Sequence, residues 1–188
     1  MRLRVILPVT LAALFALAAC GSSTPPKASP KTSTGPTSVT YQPAGANPSK
    51  SAKMVCTDEV VGDLTDNLGV KATRVTTPTW KDHVYSCAFV YPKGSFVLST
   101  KELVSEQTTT DFFNAQKQKL GVKQNLYGLG QGAFLAKNDD VVVRKDYKVL
   151  LVDIQKVPKP IGAFVPAMVR SDVAINIASV IMSCWVGA

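Results

Sequence analysis

The amino-acid pattern predicts an α+β domain: an antiparallel sheet of about five to six strands with about three helices packed mainly on one face. Three observations carry this. Residues 83–104 read as two strand-like runs joined by Pro92-Lys93-Gly94-Ser95, a hairpin signature. Residues 132–155 read as three short strands separated at Asn138-Asp139 and Asp146-Tyr147. Helical periodicity recurs before, between and after these blocks, and strands joined by hairpins give an antiparallel sheet with its helices segregated.

The first helix is expected after Thr57, a cap residue, with Asp58 and Glu59 at the positive end of its dipole. Val60, Val61, Leu64 and Leu68 form its apolar stripe and Gly69 its stop. A short strand over about 72–76 follows, and Pro78 marks a loop. From His83 to Tyr91, Val84, Ser86, Ala88 and Val90 alternate with Tyr85, Cys87, Phe89 and Tyr91. Apolar residues fall in both sets, which predicts a strand covered on both faces. Residues 96–104 return as its partner.

A second helix is expected over about 110–120, with Phe112, Phe113, Gln116 and Leu120 on one face, Lys117 and Lys119 near its negative end, and Gly121 as its stop. A glycine-rich turn then leads to strands at about 132–137, 141–145 and 149–155. Pro158, Pro160 and Gly162 form a loop. The last helix starts near Pro166 or Ser171. Val169, Val173, Ile177, Val180, Ile181 and Cys184 recur at three- and four-residue steps. Its β-branched content lowers intrinsic helicity, so packing must hold it. Asn176 and Ser179 interrupt it, and it is too short to span a bilayer.

Ahead of this domain lies an export signal. Arg2 and Arg4 form a positive start, Val5 to Ala19 is apolar apart from Pro8 and Thr10, and small residues lead to a cleavage point. Leu17-Ala18-Ala19-Cys20 resembles the bacterial lipobox, in which diacylglycerol alkylates the cysteine thiol before cleavage in front of it. The expectation is lipidation at Cys20 and anchoring to the outer face of the cell membrane, the lipid being the membrane partner. Each buried methylene contributes ~0.8 kcal/mol, so two acyl chains hold stably.

Gly21 to Ser51 carries Pro25, Pro26, Pro30, Pro36, Pro43 and Pro48 among many Ser and Thr, with few aliphatics. Such a segment cannot offset the entropy of ordering. As a coil of ~30 residues it spans about 30 Å, and fully extended about 90 Å. The expected organisation is a signal peptide over 1–19, lipidated Cys20 with a disordered tether through 54, and one domain over 55–188.

The formal net charge is +8. Arg2 and Arg4 leave with the signal, and Lys27, Lys31, Lys50 and Lys53 lie in a tether without acids, so the domain from residue 55 carries only +2. A basic face of the kind that binds nucleic acid is not expected.

Outside the membrane disulfides are permitted. With Cys20 lipidated, Cys56, Cys87 and Cys184 allow three pairings. Cys56–Cys87 is the favoured one, because it pins the first helix to the central hairpin. Cys184 is then a buried thiol.

No catalytic, cofactor or metal constellation stands out. His83 is the only histidine and no Gly-x-Ser-x-Gly elbow exists, so a nucleophile–histidine pairing lacks a sequence signal. One histidine and no Cys-x-x-Cys leave zinc without ligands. Gly128-Leu129-Gly130-Gln131-Gly132-Ala133 has the spacing of a dinucleotide loop, but a strand follows it instead of a helix. Asp139-Asp140 and Arg144-Lys145-Asp146 read as hairpin ends. Trp80, Tyr85, Tyr91 and Tyr127 are candidates either for a cleft lining or for packing.

In motif order the chain resembles the actinobacterial lipoproteins of domain-of-unknown-function family 3558. The resemblance rests on Cys20, the Ser/Thr/Pro-rich tether, Cys56 just before the first helix, Cys87 in a strand, and Gly128-Leu129-Gly130 before the later strands. It implies an envelope location and no known activity. More distantly the plan is similar to extracellular sensor domains of kinases, which implies a ligand- or partner-binding cleft. The expected function is a non-enzymatic binding or interaction module for an envelope protein or small molecule. The alternatives are a carrier of a lipid or other apolar ligand, which needs an apolar cavity, and an uncatalogued hydrolase, which needs His83 or paired carboxylates beside a nucleophile.

Overall fold

The computed structural model describes residues 43–157 and 168–185. The expected signal peptide, Cys20, the expected tether up to residue 42 and the loop expected at 158–162 lie outside the described residues.

The elements run α1 (Lys50–Met54), α2 (Asp58–Leu68), β1 (Arg74–Val75), β2 (Thr79–Lys81), β3 (Val84–Tyr91), β4 (Gly94–Glu102), α3 (Glu106–Leu120), β5 (Val122–Leu126), β6 (Gly132–Ala136), β7 (Val141–Lys145), β8 (Lys148–Asp153) and α4 (Arg170–Cys184). The α+β class holds: an eight-stranded sheet, antiparallel at every pairing, and four helices among the described residues. The strand order is β1-β3-β4-β8-β7-β6-β5, with β2 also pairing β3.

The short strand expected over about 72–76 is β1, and three elements lie beyond the expected count: α1, β2 and β5. β1 and β2 share one edge of β3, two residues at Val90 and Phe89 and three at Ser86 to Val84. β5 is an opposite edge strand in which Val122 to Asn125 are exposed, so no apolar alternation marks it. α3 begins at Glu106, four residues before the expected start. Ser105 Oγ accepts from Thr108 N at 3.1 Å and Thr108 Oγ1 accepts from Ser105 N at 3.1 Å. That is a capping box built with Thr where the usual sequence signature has Glu or Gln.

Two-residue periodicity sorts the sheet into two faces. On the first, Leu98 sits opposite both Cys87 and Val152, and the row continues through Val141. Val60, Leu64 and Leu68 of α2 and Val173, Ile177 and Ile181 of α4 close this core. On the second face, Phe113 of α3 meets Phe134 edge-on at 5.4 Å, with Ala136, Val142 and Val149 around the pair. Helices therefore lie mainly on the first face, and α3 alone crosses to the second. α3 packs on β6, β7 and β8. The even-numbered side of β3, expected to be covered, is only half-buried, because no helix lies over it.

Residues 43–54, assigned from composition to the tether, are packed on the domain. Ala44 N donates to Leu103 O at 3.0 Å and Trp80 Nε1 to Ala46 O at 2.9 Å. Ser49 bonds Glu102 through both its backbone N–H and its hydroxyl. Ala52 and Val55 are fully buried. Composition misses this because the contacts are a few isolated hydrogen bonds and two small buried side chains, which Pro- and Ser-rich sequence does not forbid.

Cys56 and Cys87 form a disulfide with Cα atoms 6.1 Å apart, inside the usual range. It ties the approach to α2 to the centre of β3, as the favoured pairing requires. Cys184 is a buried thiol.

Candidate functional site

The site is built on the second face of the sheet, where α3 stops short of the edge. β3 presents Val84, Ser86, Ala88 and Val90 there, and β4 presents Ser95, Val97, Ser99 and Lys101. These are small or half-buried, so the surface is a shallow floor with α3 as its wall. At the foot of the wall lies a slot of about 210 Å³. Its apolar lining is Val84, Phe112, Val149 and Leu151. Lys101 and Lys119 also line it, and Ser99 and Gln116 add a hydroxyl and an amide. No carboxylate lines it.

The turn between β2 and β3 positions one of these cations. Lys81 pairs with Val84, leaving Asp82 and His83 as the two turn residues. Both have positive φ, 50° and 57°. Consecutive left-handed residues are the geometry of a type I′ hairpin turn, which matches the twist of the flanking strands and usually takes Gly in its second place. The Asp82 carbonyl so presented accepts from Lys101 Nζ. An ammonium has three donors, so two remain for another acceptor.

A wider, open groove of about 630 Å³ runs along α4, past Asn67, Met168, Ile175 and Asn176. Asp172 is the one ionisable side chain in its lining. It is a furrow between helices, and it has neither the enclosure nor the convergent charge of the slot.

Among the residues that sequence singled out, His83 is exposed at its turn and meets Trp80 edge-on at 5.7 Å. No nucleophile is placed beside it among the described contacts. Tyr85 and Tyr91 lie on the first face of the sheet, the opposite side from the slot, and pack against its core. Burial pushes the Tyr91 phenol up to about 12. Tyr127 is 92% exposed on the loop after β5. Trp80 lies opposite Tyr85 across β2 and β3, while Tyr127 stands apart, so the four aromatic candidates do not meet at one point.

The glycine loop is a tight entry to β6. A Cβ on Gly130 would sit 2.5 Å from the Arg144 carbonyl, and its φ is +57°, so only glycine fits. Asp139 and Asp140 work separately. Asp139 pairs with Lys123 at 2.9 Å and lies 3.7 Å from Arg170. Asp140 is buried and accepts from Ile154 N at 3.0 Å, Asn138 Nδ2 at 2.7 Å and Gln155 Nε2 at 3.3 Å. Burial raises its carboxyl above the ordinary range, against the lowering effect of the bond from Ile154. Together the two acids clamp the β6–β7 turn to the end of β8 and the start of α4. Arg144 and Lys145, expected at a solvated hairpin end, are half-buried instead. Arg144 donates to Thr110 Oγ1 at 2.7 Å and Lys145 to Trp185 O at 2.8 Å. Long aliphatic stems let both charges reach acceptors on the helices.

No family model, curated protein or solved structure matches this chain.

Among the described residues no group of three or more His, Cys, Asp and Glu side chains could hold a metal ion. No described helix is long and apolar enough to cross a membrane. The slot residues escaped sequence reading because they come from β3, β4, α3 and β8, distant in the chain. The available signal was the run of small residues at every second position of β3.

Proposed function

We propose that this chain is a cell-envelope lipoprotein, lipidated at Cys20, whose domain is a non-enzymatic binding module. The observation that carries the binding reading is the half-covered second face. α3 shields β6 to β8 and leaves β3 and β4 as a floor of small side chains beside a walled slot. A sheet that only needed a core would gain stability by burying that floor, at roughly 25 cal/mol for each Å² of apolar surface. Leaving it open suits a surface kept for a ligand.

The lipobox at Leu17-Ala18-Ala19-Cys20 supports the anchored location, and the Pro/Ser/Thr-rich segment after it supports a spacer. Kinship with domain-of-unknown-function family 3558 is part of the same proposal, on motif order alone. Two in-cell measurements test it. Cys20→Ala is expected to move the protein from the membrane to the soluble fraction. A photo-cross-linking residue at Ser86 is expected to trap one saturable species that the same residue at exposed Asn67 does not. Retention of the Cys20→Ala chain on the membrane, or trapping from Asn67 alone, contradicts the reading.

A further inference from the structure

We propose that the slot beside α3 binds a small organic monoanion with an apolar body, its acid group between Lys101 and Lys119. This inference rests on the reading of the second face as a binding surface, and adds the ligand's chemical class.

Charge comes first. The domain from residue 55 carries only +2 spread over thirteen acids and fifteen bases, yet two ammoniums and no carboxylate meet at this one slot. Such a lining repels cations and attracts anions. Lys101 is also pre-oriented, because one of its donors is taken by the Asp82 carbonyl. The turn that presents this carbonyl has positive φ at both Asp82 and His83, a conformation that is strained for non-glycine residues. Fixing an ammonium beforehand lowers the entropy lost when a ligand binds it.

Apolar chemistry comes second. Val84, Phe112, Val149 and Leu151 line the same slot as the two cations. A simple inorganic anion would leave these walls against water, while a neutral apolar molecule would leave the ammoniums unanswered. An acid attached to a ring or a short branched chain satisfies both. Ser99 and Gln116 offer further donors in the lining.

Size comes third. At about 210 Å³ the slot is smaller than the ~300–1,000 Å³ that encloses a drug-sized molecule. It fits one ring or a few methylenes and excludes a diacyl lipid. Both lysines are solvent-accessible, so binding is weak and salt-sensitive.

The test uses the full chain in nanodiscs of zwitterionic lipid, with empty discs as the blank. The probes are 3-phenylpropionate, its neutral amide and propionate. The expected result is binding of 3-phenylpropionate with resonance shifts at Ser99, Gln116 and Leu151. The amide and propionate should each bind at least tenfold more weakly. Raising salt should weaken the acid and leave the amide unchanged. Lys101→Gln/Lys119→Gln should lose tenfold or more for the acid alone. Equal binding of acid and amide, or no effect of the double substitution, overturns the anion assignment while the open face remains a binding surface. Shifts confined to the α4 groove overturn the anion assignment and the placement of the binding surface together. If none of the probes binds while Ser86 still cross-links its partner, this inference alone fails.

Discussion

The indole nitrogen of Trp185 donates to the carbonyl oxygen of Ser51 at 2.9 Å, joining residues 134 positions apart. Trp185 is the cap residue of α4 and Ser51 lies in α1, so the bond fastens the C-terminal end of α4 to α1. Lys145 reaches the Trp185 carbonyl from the sheet side, and Ser49 holds Glu102 at the end of β4. Residues 49–51 are thus tied to β4 through Glu102 and to the end of α4 through Trp185.

Trp185→Phe keeps an aromatic ring and removes the donor. The Ser51 carbonyl is left buried without this partner, at a cost of about 1–3 kcal/mol. Urea unfolding should show that loss, and hydrogen exchange at Ala52 and Lys53 should accelerate beyond the change in global stability. Unaltered protection at those two amides would mean that α1 is held by other contacts.

The disulfide constrains the unfolded chain over a sequence separation of 31 residues. Replacing both Cys56 and Cys87 by Ala should cost ~3–4 kcal/mol on the chain-entropy account. The midpoint of denaturant unfolding under non-reducing conditions measures this, and reduced wild type should match the double variant.

His83 sits at φ 57° in the second place of the β2–β3 turn, and its ring is exposed. Glycine adopts that conformation freely, so His83→Gly should stabilise by up to ~1 kcal/mol, while β-branched His83→Val should destabilise. Thermal unfolding of the pair separates the two signs. A loss of stability in the glycine variant would show that the edge contact with Trp80 outweighs the backbone strain.

Asp140 accepts three donors, so an amide in its place must turn an N–H₂ toward one of them. Asp140→Asn should cost about 1–3 kcal/mol at neutral pH. The pH dependence follows from the raised carboxyl pKa. The folded state holds the proton more tightly than the unfolded chain. That contribution is complete below the unfolded carboxyl value and is lost as pH rises through the folded one. Wild type should therefore gain stability relative to the variant as pH falls through the carboxyl range. A gap that narrows instead would mean that the three hydrogen bonds outweigh burial.

Much of this fold is legible in the chain because its signals are local. Gly69 closes α2 in the left-handed conformation its position predicts, and the turns at Asp139 and Asp146 have the positive φ their residue types favour. β5 escapes because backbone pairing, not side-chain periodicity, holds it, and residues 43–54 escape because isolated hydrogen bonds and a buried alanine hold them. The slot escapes for a different reason. Lys101 and Phe112 are eleven positions apart in sequence with a loop between them, and only the placement of α3 against β8 brings them to Val149 and Leu151. Periodicity reports which side of an element is apolar, but not how far a neighbouring helix extends over it.

The most direct measurement is the mass of the N-terminal peptide of the native protein, recovered from the cell membrane. A first residue Cys20 carrying a diacylglyceryl group on its sulfur is the predicted result. A peptide that begins at Met1, with the Cys20 thiol unmodified, would contradict the account of an anchored binding module.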